Sequence, residues 1–312
     1  MNILITGGSG HIGSYFLRNL PMELEIDEIN VVDSMSTQRF SSLFNLARKP
    51  RVRFYEKDVR EIDHSFLSQL GTIDCLVHLS ALTDASGTLE KRDFLFNNNL
   101  ESTKQIVKIC KEMNIPLIFP STTSVYGSQN NLVDETCDEL LPQSPYAECK
   151  LEEERLILNA VNQGMKAVIL RFGTIHGVSE GMRFHTAVNK FCFQVATGQP
   201  ISVWRTALDQ KRAYLALSDA NRAVAHVILN SLFIGEIYNV VTNNHTVREI
   251  ITSIKNSTTK ECEIDFVDSK IMNQLSYEVS SEKFHSTGFT FQGNLQKDVE
   301  NTMNLFLGIQ NA

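Results

Sequence analysis

The sequence predicts an α/β fold with a doubly wound parallel sheet in the first part of the chain and a smaller α/β lobe after it. Short apolar segments alternate with helical patterns up to about residue 173. Such segments are typical of parallel strands that helices bury on both faces. Beyond that point, turns and polar segments interrupt the alternation. We therefore predict one domain over residues 1–173 and a second lobe over 174–312 that packs against it.

The first strand runs directly into a glycine-rich turn. The apolar run at 2–5 is followed by three glycines spaced three apart, and then by an apolar stripe at helical spacing. In a nucleotide-binding turn the first glycine permits the tight bend, the second admits a pyrophosphate, and the third lets the helix pack closely. The N-terminus of the helix then offers free N–H groups to phosphates. This pattern predicts a Rossmann-type dinucleotide site whose first ligands are Gly7, Gly10, His11, Ile12 and Gly13.

An acidic residue ends the second predicted strand. Asp33 lies twenty residues after Gly13, where a carboxylate accepts hydrogen bonds from the adenosine ribose of a dinucleotide. A carboxylate there repels the 2′-phosphate of NADP, so we predict NAD as the cofactor. Arg39 lies close enough in sequence to hold a 2′-phosphate, which leaves NADP as the alternative.

Composition argues against several classes of partner. The 312 residues are 42% hydrophobic and 21% charged, with a net charge of −7. No basic run appears, so we expect no nucleic-acid partner, and no apolar stretch is long enough to suggest a membrane partner. The scattered cysteines predict free thiols and no metal site. Because the first strand begins at residue 2, we expect no targeting peptide and a cytoplasmic location.

A tyrosine and a lysine four residues apart suggest the chemistry. Tyr146 and Lys150 share one face of a predicted helix, and the hydroxyl residues at 121–124 follow the fifth strand. A free phenol has a pKa near 10, but an ammonium group and a cationic nicotinamide both favour the phenolate. Tyr146 would then take a proton while hydride leaves, Lys150 would hold the nicotinamide ribose, and Thr122 would fix the reacting oxygen. The alternative for the pair alone is a solvated helix face.

Several motifs occur in an order that resembles a known family. They are Gly7-x-x-Gly10-x-x-Gly13, Asp58-Val59-Arg60, His78-Leu79-Ser80-Ala81, Ser121-Thr122 with Val125-Tyr126-Gly127, Tyr146-x-x-x-Lys150 and Arg171-Phe172. Together they resemble an extended short-chain dehydrogenase/reductase of the nucleotide-sugar epimerase/dehydratase group. The resemblance implies the same fold and an NAD cofactor. It also implies further cofactor residues, namely Asp58 and Val59 at the adenine, Leu79, Ala81 and Phe172 along the cofactor, and Asn99 as a brace. Tyr146 and Lys150 are expected to contact the cofactor as well.

The resemblance also implies a nucleotide-diphosphate sugar as substrate, with a UDP-sugar favoured. The implied substrate residues are Thr83, Thr122, Thr123, Thr174, Arg183, Asn189 and Arg212, of which Arg212 would hold the diphosphate. Thr174 stands where epimerases of the family commonly have asparagine, and Thr83 stands where UDP-galactose 4-epimerase has lysine. The identity of the sugar therefore stays open.

Two small residues after the proposed catalytic hydroxyl bear on the reaction. Thr123 and Ser124 stand where the family's 4,6-dehydratases carry an Asp-Glu pair and its decarboxylases keep an acid. We therefore expect an NAD-dependent epimerase that inverts C4 through a transient 4-keto sugar. An NAD(P)-dependent 4-keto-sugar reductase and a non-catalytic NAD-binding regulatory protein are the alternatives. The resemblance further implies a homodimer formed through the helix near 90–113 and the helix that carries Tyr146.

Overall fold

The computed structural model describes residues 1–83, 89–267 and 277–309. A seven-stranded sheet lies at its centre, with the strand order β11-β7-β5-β4-β1-β2-β3, and every neighbouring pair is parallel. Helices cover both faces, so the predicted doubly wound α/β fold is confirmed.

The strands, in chain order, are β1 (Asn2–Thr6), β2 (Glu28–Asp33), β3 (Arg51–Glu56), β4 (Cys75–His78), β5 (Leu117–Thr122), β6 (Leu132–Val133), β7 (Ala167–Phe172), β8 (Thr174–His176), β9 (Ile201–Trp204), β10 (Lys211–Ala216), β11 (Ile237–Val240), β12 (Asn243–Thr246), β13 (Ile264–Val267) and β14 (Glu278–Val279). The helices are α1 (His11–Asn19), α2 (His64–Gln69), α3 (Leu89–Met113), α4 (Pro145–Val161), α5 (Ala187–Ala196), α6 (Leu217–Leu229), α7 (Val247–Asn256), α8 (Glu282–His285) and α9 (Leu295–Asn304). Within the described residues, none of these helices has both the length and the apolar character needed to cross a membrane.

The first strand shows why the apolar segments are continuous. Successive side chains of a strand point to opposite faces of its sheet. Ile3 and Ile5 pack in the core that includes α1 and α6, whereas Leu4 packs in the core that includes α3 and α4. All three side chains are fully buried. A strand between two helical layers therefore needs an apolar residue at every position.

The strand order reverses direction between β1 and β4. The chain builds β1, β2 and β3 toward one edge of the sheet and then returns to place β4 on the other side of β1. Loops that leave β1 and β4 therefore diverge, and a crevice opens at the carboxyl ends of these two strands. This is the place where open α/β sheets bind ligands.

The residues after 173 form most of a second lobe and one strand of the main sheet. Helices α5, α7 and α9 share an apolar core with β9 and β10, and β12, β10 and β8 form a small sheet. Helix α6 instead packs in the core of the central sheet, and β11 pairs with β7 in that sheet through Ile237 and Ile169. The division at 173/174 stays a prediction, and the central sheet draws on residues from both sides of it.

Candidate active site

A cavity of about 560 Å³ lies at the carboxyl ends of the central strands. Residues at or just after the ends of five sheet strands line it, namely Gly7, Asp33, Leu79, Thr122 and Phe172. The second lobe contributes Trp204 and Arg212 to the opposite wall. The volume is within the range of small-molecule and cofactor sites.

The glycine turn is shaped by close backbone approach. Gly7 has φ +70°, and a Cβ atom there would lie 2.5 Å from the backbone nitrogen of Ser80. A Cβ atom on Gly13 would lie 2.5 Å from the Cα atom of Gly8. Gly10 is the N-cap of α1 and supplies no side-chain cap, so the first N–H groups of this helix remain available beside the cavity. This cradle fits the pyrophosphate of a dinucleotide.

Asp33 is held rigidly where the adenosine ribose would lie. Its carboxylate accepts hydrogen bonds from the backbone N–H groups of Ser9, at 3.0 Å, and Met35, at 2.9 Å. Arg39 lines the same cavity. Burial lowers the pKa of the Arg39 guanidinium, and the negative charge of Asp33 opposes that shift. The predicted acid and the arginine that could hold a 2′-phosphate therefore face the same ligand.

Asp58, a residue assigned to the adenine by resemblance, also lines the cavity. It follows β3 and accepts hydrogen bonds from both the backbone and the guanidinium of Arg60. The hydrogen bond from the Arg60 side chain is the main reason why the pKa of Asp58 is lowered. The carboxylate is thus ionised and oriented before a ligand arrives.

His11 joins the glycine turn to the second lobe. Its Nε2 atom lies 2.9 Å from the carbonyl oxygen of Gly177. Burial lowers the pKa of His11 to about 3, so the ring is neutral near pH 7 and Nε2–H donates to that carbonyl. His11 lines the cavity as predicted, and it also fixes the loop after β8 against the start of α1.

The sequence places Tyr146 and Lys150 on successive turns of α4. The side chain of Ser144 caps this helix by accepting a hydrogen bond from Ala147 N–H, and Pro145 occupies the first turn, where a missing N–H costs nothing. Lys150 Nζ lies 6.0 Å from the centroid of the Tyr146 ring. Both side chains line the cavity and Lys150 is buried, so the pair does not form a solvated helix face.

Lys150 has a neighbour that the sequence analysis did not identify. Its Nζ atom lies 3.1 Å from Glu153 Oε2 and 4.3 Å from the centroid of the Phe119 ring. Burial is the largest single influence and lowers the pKa of Lys150, but the charge and hydrogen bond of Glu153, together with the nearby Tyr146 and Cys149, outweigh it and the net pKa is raised. The ammonium is therefore charged near pH 7. The available signal was the spacing of three residues, which places Glu153 next to Lys150 on the helix surface.

The phenol of Tyr146 is half-buried, and its pKa is raised. Removal from water raises the pKa most, the positive charge of Lys150 opposes that shift, and the negative charge of Glu153 adds to it. The side chains of the protein therefore hold Tyr146 as a neutral phenol near pH 7. A phenolate at this position requires additional positive charge beside the ring.

Thr122 ends β5 and lines the cavity, as predicted. Its Oγ1 atom accepts a hydrogen bond from Ser124 N–H at 3.1 Å, so its own hydroxyl proton is available for a ligand. The Ser124 side chain also lines the cavity, although the sequence analysis did not assign it to the site. Thr123 and Ser124, the two residues after Thr122, are therefore both uncharged.

The predicted site residues all line this cavity except Asn99, Thr123 and Asn189. Asn99 bonds both backbone groups of Leu82, accepting at 2.8 Å and donating at 2.8 Å, which is the bracing role that the resemblance implied. Asn189 donates to the carbonyl oxygen of Arg183 at 3.0 Å. Thr123 is buried. The assignment of Thr123 and Asn189 to the substrate site therefore stays a prediction that the cavity lining does not support.

Cations from the second lobe gather on one wall of the cavity. Arg183, Lys190 and Arg212 all line it, and Arg183 donates a hydrogen bond to the hydroxyl of Thr83. The Arg212 guanidinium lies 5.9 Å from the centroid of the Trp204 ring. This wall suits an anion, although the chain as a whole has a net charge of −7. The sequence analysis missed Lys190, whose only signal is its place one residue after Asn189.

The fold and the site define a Rossmann-type enzyme that binds a dinucleotide beside a second ligand. The model of the NAD dependent epimerase/dehydratase family matches residues 3–240, and the chain belongs to this family. It is therefore an NAD-dependent enzyme, as the sequence predicted.

Several known proteins are similar to this chain. The "Uncharacterized UDP-glucose epimerase YtcB" of Bacillus subtilis (strain 168) is 27% identical over 86% of this chain and 85% of that protein. The UDP-glucose 4-epimerase of Lacticaseibacillus casei is 29% identical over 64% of this chain and 60% of that protein. The structure of a UDP-glucuronic acid 4-epimerase from Bacillus cereus with NAD has a TM-score of 0.85 and 23% identity, covering 98% of this chain and all of that one. At this identity the structural likeness is one of fold.

Proposed function

We propose that this enzyme is a nucleotide-sugar epimerase that inverts C4 through a transient 4-keto sugar. The observation that carries the proposal is that Tyr146, Lys150 and Thr122 line the same cavity while Thr123 and Ser124, which follow Thr122, are not carboxylates. Loss of water from a sugar needs an additional acid and base, whereas inversion through a ketone needs only one group that moves a proton. The names of the two curated relatives agree with an epimerase.

Tyr146 takes the proton of the C4 hydroxyl and later returns it. NAD, when bound, supplies the site that accepts and returns the hydride, together with a positive ring charge near the phenol. Lowering the pKa of a phenol by about 3 units requires about 4 kcal/mol of interaction that favours the phenolate. Lys150 contributes to this through its ammonium charge. Thr122 donates a hydrogen bond to the C4 oxygen and keeps that oxygen within reach of Tyr146.

The wall that carries Arg183, Lys190 and Arg212 supports a nucleotide diphosphate as the anionic part of the substrate. The names of the relatives favour UDP among the nucleotides. The hydroxyls of Thr83 and Thr174 also line the cavity and suit the polar groups of a sugar. A UDP-sugar therefore has a diphosphate that suits the three cations and a sugar whose hydroxyls suit the two threonines.

A panel of UDP-sugars tests this proposal. The purified enzyme should interconvert C4 epimers of at least one of them, as followed by proton NMR, and should release stoichiometric NAD on denaturation. A product that has lost water would overturn the proposal, as would net consumption of reduced cofactor.

A 4-keto-sugar reductase is the second candidate, and Arg39 favours it. This guanidinium lines the cavity close to Asp33, where it could bind the 2′-phosphate of NADPH. A reductase exchanges its cofactor at every turnover, whereas an epimerase retains it. Affinities for NADPH and NADH separate these two enzymes, because tighter NADPH binding would favour the reductase. A biological role that survives Tyr146→Phe would instead favour a non-catalytic NAD-binding protein.

We further propose a homodimer that pairs through α3 and α4. These helices pack against each other, with an ion pair of 2.8 Å between Arg92 and Glu148. The Phe94 side chain on α3 is 65% exposed, which is unusual for a large aromatic residue. Analytical ultracentrifugation should give twice the chain mass for the native protein and a smaller mass for Phe94→Asp.

We also propose a cytoplasmic location. All six cysteines are free thiols, which suits a reducing compartment. Cell fractionation should recover the protein with the cytosol, and recovery in an extracellular or membrane fraction would contradict this.

A further inference from the structure

The lysine of the active site shares its surroundings with a fully buried carboxylate. Glu153 lies one turn after Lys150 on α4, and its side chain has no exposure to solvent. The carboxylate oxygen Oε2 lies 3.1 Å from Lys150 Nζ. The next residue, Glu154, pairs with Arg171 instead, at 2.7 Å. Within the described residues, Lys150 is the ion-pair partner of Glu153.

A buried row of hydrogen bonds leads from β1 to Glu153. Thr103 Oγ1 lies 2.5 Å from Glu153 Oε1 and 3.3 Å from His78 Nε2, while His78 Nδ1 lies 2.7 Å from Thr6 Oγ1. Burial, with a smaller contribution from the charge of Lys150, lowers the pKa of His78 to about 3. The imidazole is therefore neutral near pH 7.

The neutral imidazole fixes the direction of the row. Thr103 gives its proton to the carboxylate of Glu153, so it accepts one from His78 Nε2–H. His78 Nδ1 in turn accepts the hydroxyl proton of Thr6. Every donor in the row thus points toward Glu153. Three elements of the central fold, β1, β4 and α3, hold this carboxylate in place.

The charges that face Tyr146 come from few groups. Lys150, Glu153 and Cys149 lie on α4, and Arg183 faces the phenol from the second lobe. Burial raises the pKa of the Cys149 thiol to about 12, so this thiol is neutral. The charged side chains that shift the pKa of Tyr146 are therefore two cations, Lys150 and Arg183, and one carboxylate, Glu153.

We propose that Glu153 is a positioning residue, which fixes the ammonium of Lys150 and sets how much of its charge acts on Tyr146. A carboxylate within 3.1 Å of the ammonium cancels part of its field. The row that begins at Thr6 keeps the carboxylate from following Lys150 toward the cavity. The inference rests on the proposed function, because that function makes Tyr146 the group that moves the proton.

Titration of the Tyr146 phenol in the protein with NAD bound tests this inference without a sugar. Phenolate formation is followed by near-ultraviolet absorbance, and the same titration of Tyr146→Phe is subtracted. In Glu153→Gln the negative charge is gone, so the pKa of Tyr146 should fall measurably. The acidic limb of the pH profile of kcat should move to lower pH by a similar amount. A purely structural glutamate would reduce stability and leave both curves in place.

Glu152→Gln is the matched control. Glu152 precedes Glu153 on the same helix, is exposed, and pairs with Arg155 on the surface. This variant loses the same charge and should not change the titration. Thr103→Val provides a second test if Glu153→Gln does not fold. It removes a donor that offsets the carboxylate charge, so the phenol should titrate at higher pH.

The outcomes separate this inference from the proposed function. An unchanged titration in a folded variant would overturn the positioning role, as would a shift opposite to the one stated for it. A shifted titration in an enzyme that inverts no sugar would overturn the proposed function and retain the positioning role. Sugar inversion with an unshifted phenol would retain the function and reject the role of Glu153.

Discussion

The guanidinium of Arg171 lies 2.7 Å from the carboxylate of Glu154, and both side chains are buried. Arg171 belongs to β7 and Glu154 to α4, so this pair fastens the helix of Tyr146 to the central sheet. Ser121 on β5 adds a hydrogen bond to the same carboxylate at 2.5 Å. Helix α4, which carries Tyr146, is thus anchored to the two strands on which it lies.

Removing one partner of this pair should destabilise the protein strongly. Arg171→Met leaves the Glu154 carboxylate buried without its cation, which costs about 3–5 kcal/mol. Denaturant unfolding should report the loss as a lower midpoint. Arg155→Met on the same helix breaks an exposed pair with Glu152 and should change the stability by less than about 1 kcal/mol. Equal losses in the two variants would contradict the anchoring role.

Tyr146→Phe should reduce kcat by about 10²–10⁴-fold, because it removes the group that moves the proton. The phenyl ring keeps the shape of the cavity wall, so NAD binding should change little. Both quantities are measured on the same preparation, by sugar turnover and by calorimetry with NAD. Tyr55→Phe is the control, since Tyr55 on β3 packs against Phe66 and lies outside the cavity wall. Full activity in Tyr146→Phe would exclude the proposed mechanism.

Gly7→Ala should disrupt the dinucleotide site. Its new methyl group would lie 2.5 Å from the backbone of Ser80, which cannot move without displacing the loop after β4. We expect NAD affinity to fall at least about 10-fold, the change that follows from about 1.4 kcal/mol. Gly71→Ala is the matched control, because Gly71 also has a positive φ but nothing lies within 4 Å of the added atom. That variant should show only the cost of about 1 kcal/mol for its backbone conformation.

Arg212→Met should weaken binding of a nucleotide diphosphate. Loss of a charge-assisted hydrogen bond of about 1.5–3 kcal/mol predicts a 10- to 150-fold rise in the Kd of UDP. Calorimetry with UDP alone measures this without turnover. Arg248→Met removes an arginine that is paired with Asp209 on the surface, and it should leave UDP binding unchanged. If both variants bind UDP as the unaltered protein does, Arg212 is not a diphosphate ligand.

Stability should fall in acid partly because of His11. Its pKa is about 3 in the folded protein and 6.5 in an ordinary environment, so the unfolded chain binds a proton first as the pH falls. The contribution of neutral His11 is complete above pH 6.5 and is lost progressively as the pH falls toward 3, by at most about 1.4 kcal/mol per pH unit. His11→Gln should therefore flatten the plot of unfolding free energy against pH between 6 and 4. An equal slope in His11→Gln and in the unaltered protein would be the contrary result.

The fold and most of the cavity wall could be predicted because they depend on local patterns. Apolar runs that contain no polar residue, such as 3–5, are what a strand between two helical layers requires. Gly10 and Gly13 closely approach the backbones of Gly7 and Gly8 in the same turn, so this part of the glycine spacing reflects local contacts. Tyr146 and Lys150 are one helical turn apart, so their shared orientation follows from the period of the helix.

The features that the sequence did not reveal depend on burial and on which partner each side chain meets. The run 152–154 consists of three glutamates, which is typical of a solvated helix face. The structure exposes Glu152 but buries the other two, because one meets Lys150 and one meets Arg171. Likewise, nothing in the spacing of the chain shows that Asn189 donates a hydrogen bond to the Arg183 backbone.

The place of β11 in the sheet has a consequence for synthesis on the ribosome. Since β11 hydrogen-bonds to β7 only after the chain has passed through most of the second lobe, the edge of β7 stays open until residue 240 has emerged. A nascent chain that ends before this residue presents an unpaired strand to its neighbours, which favours misassociation. Chaperone capture of translation intermediates should therefore decline once β11 can pair with β7.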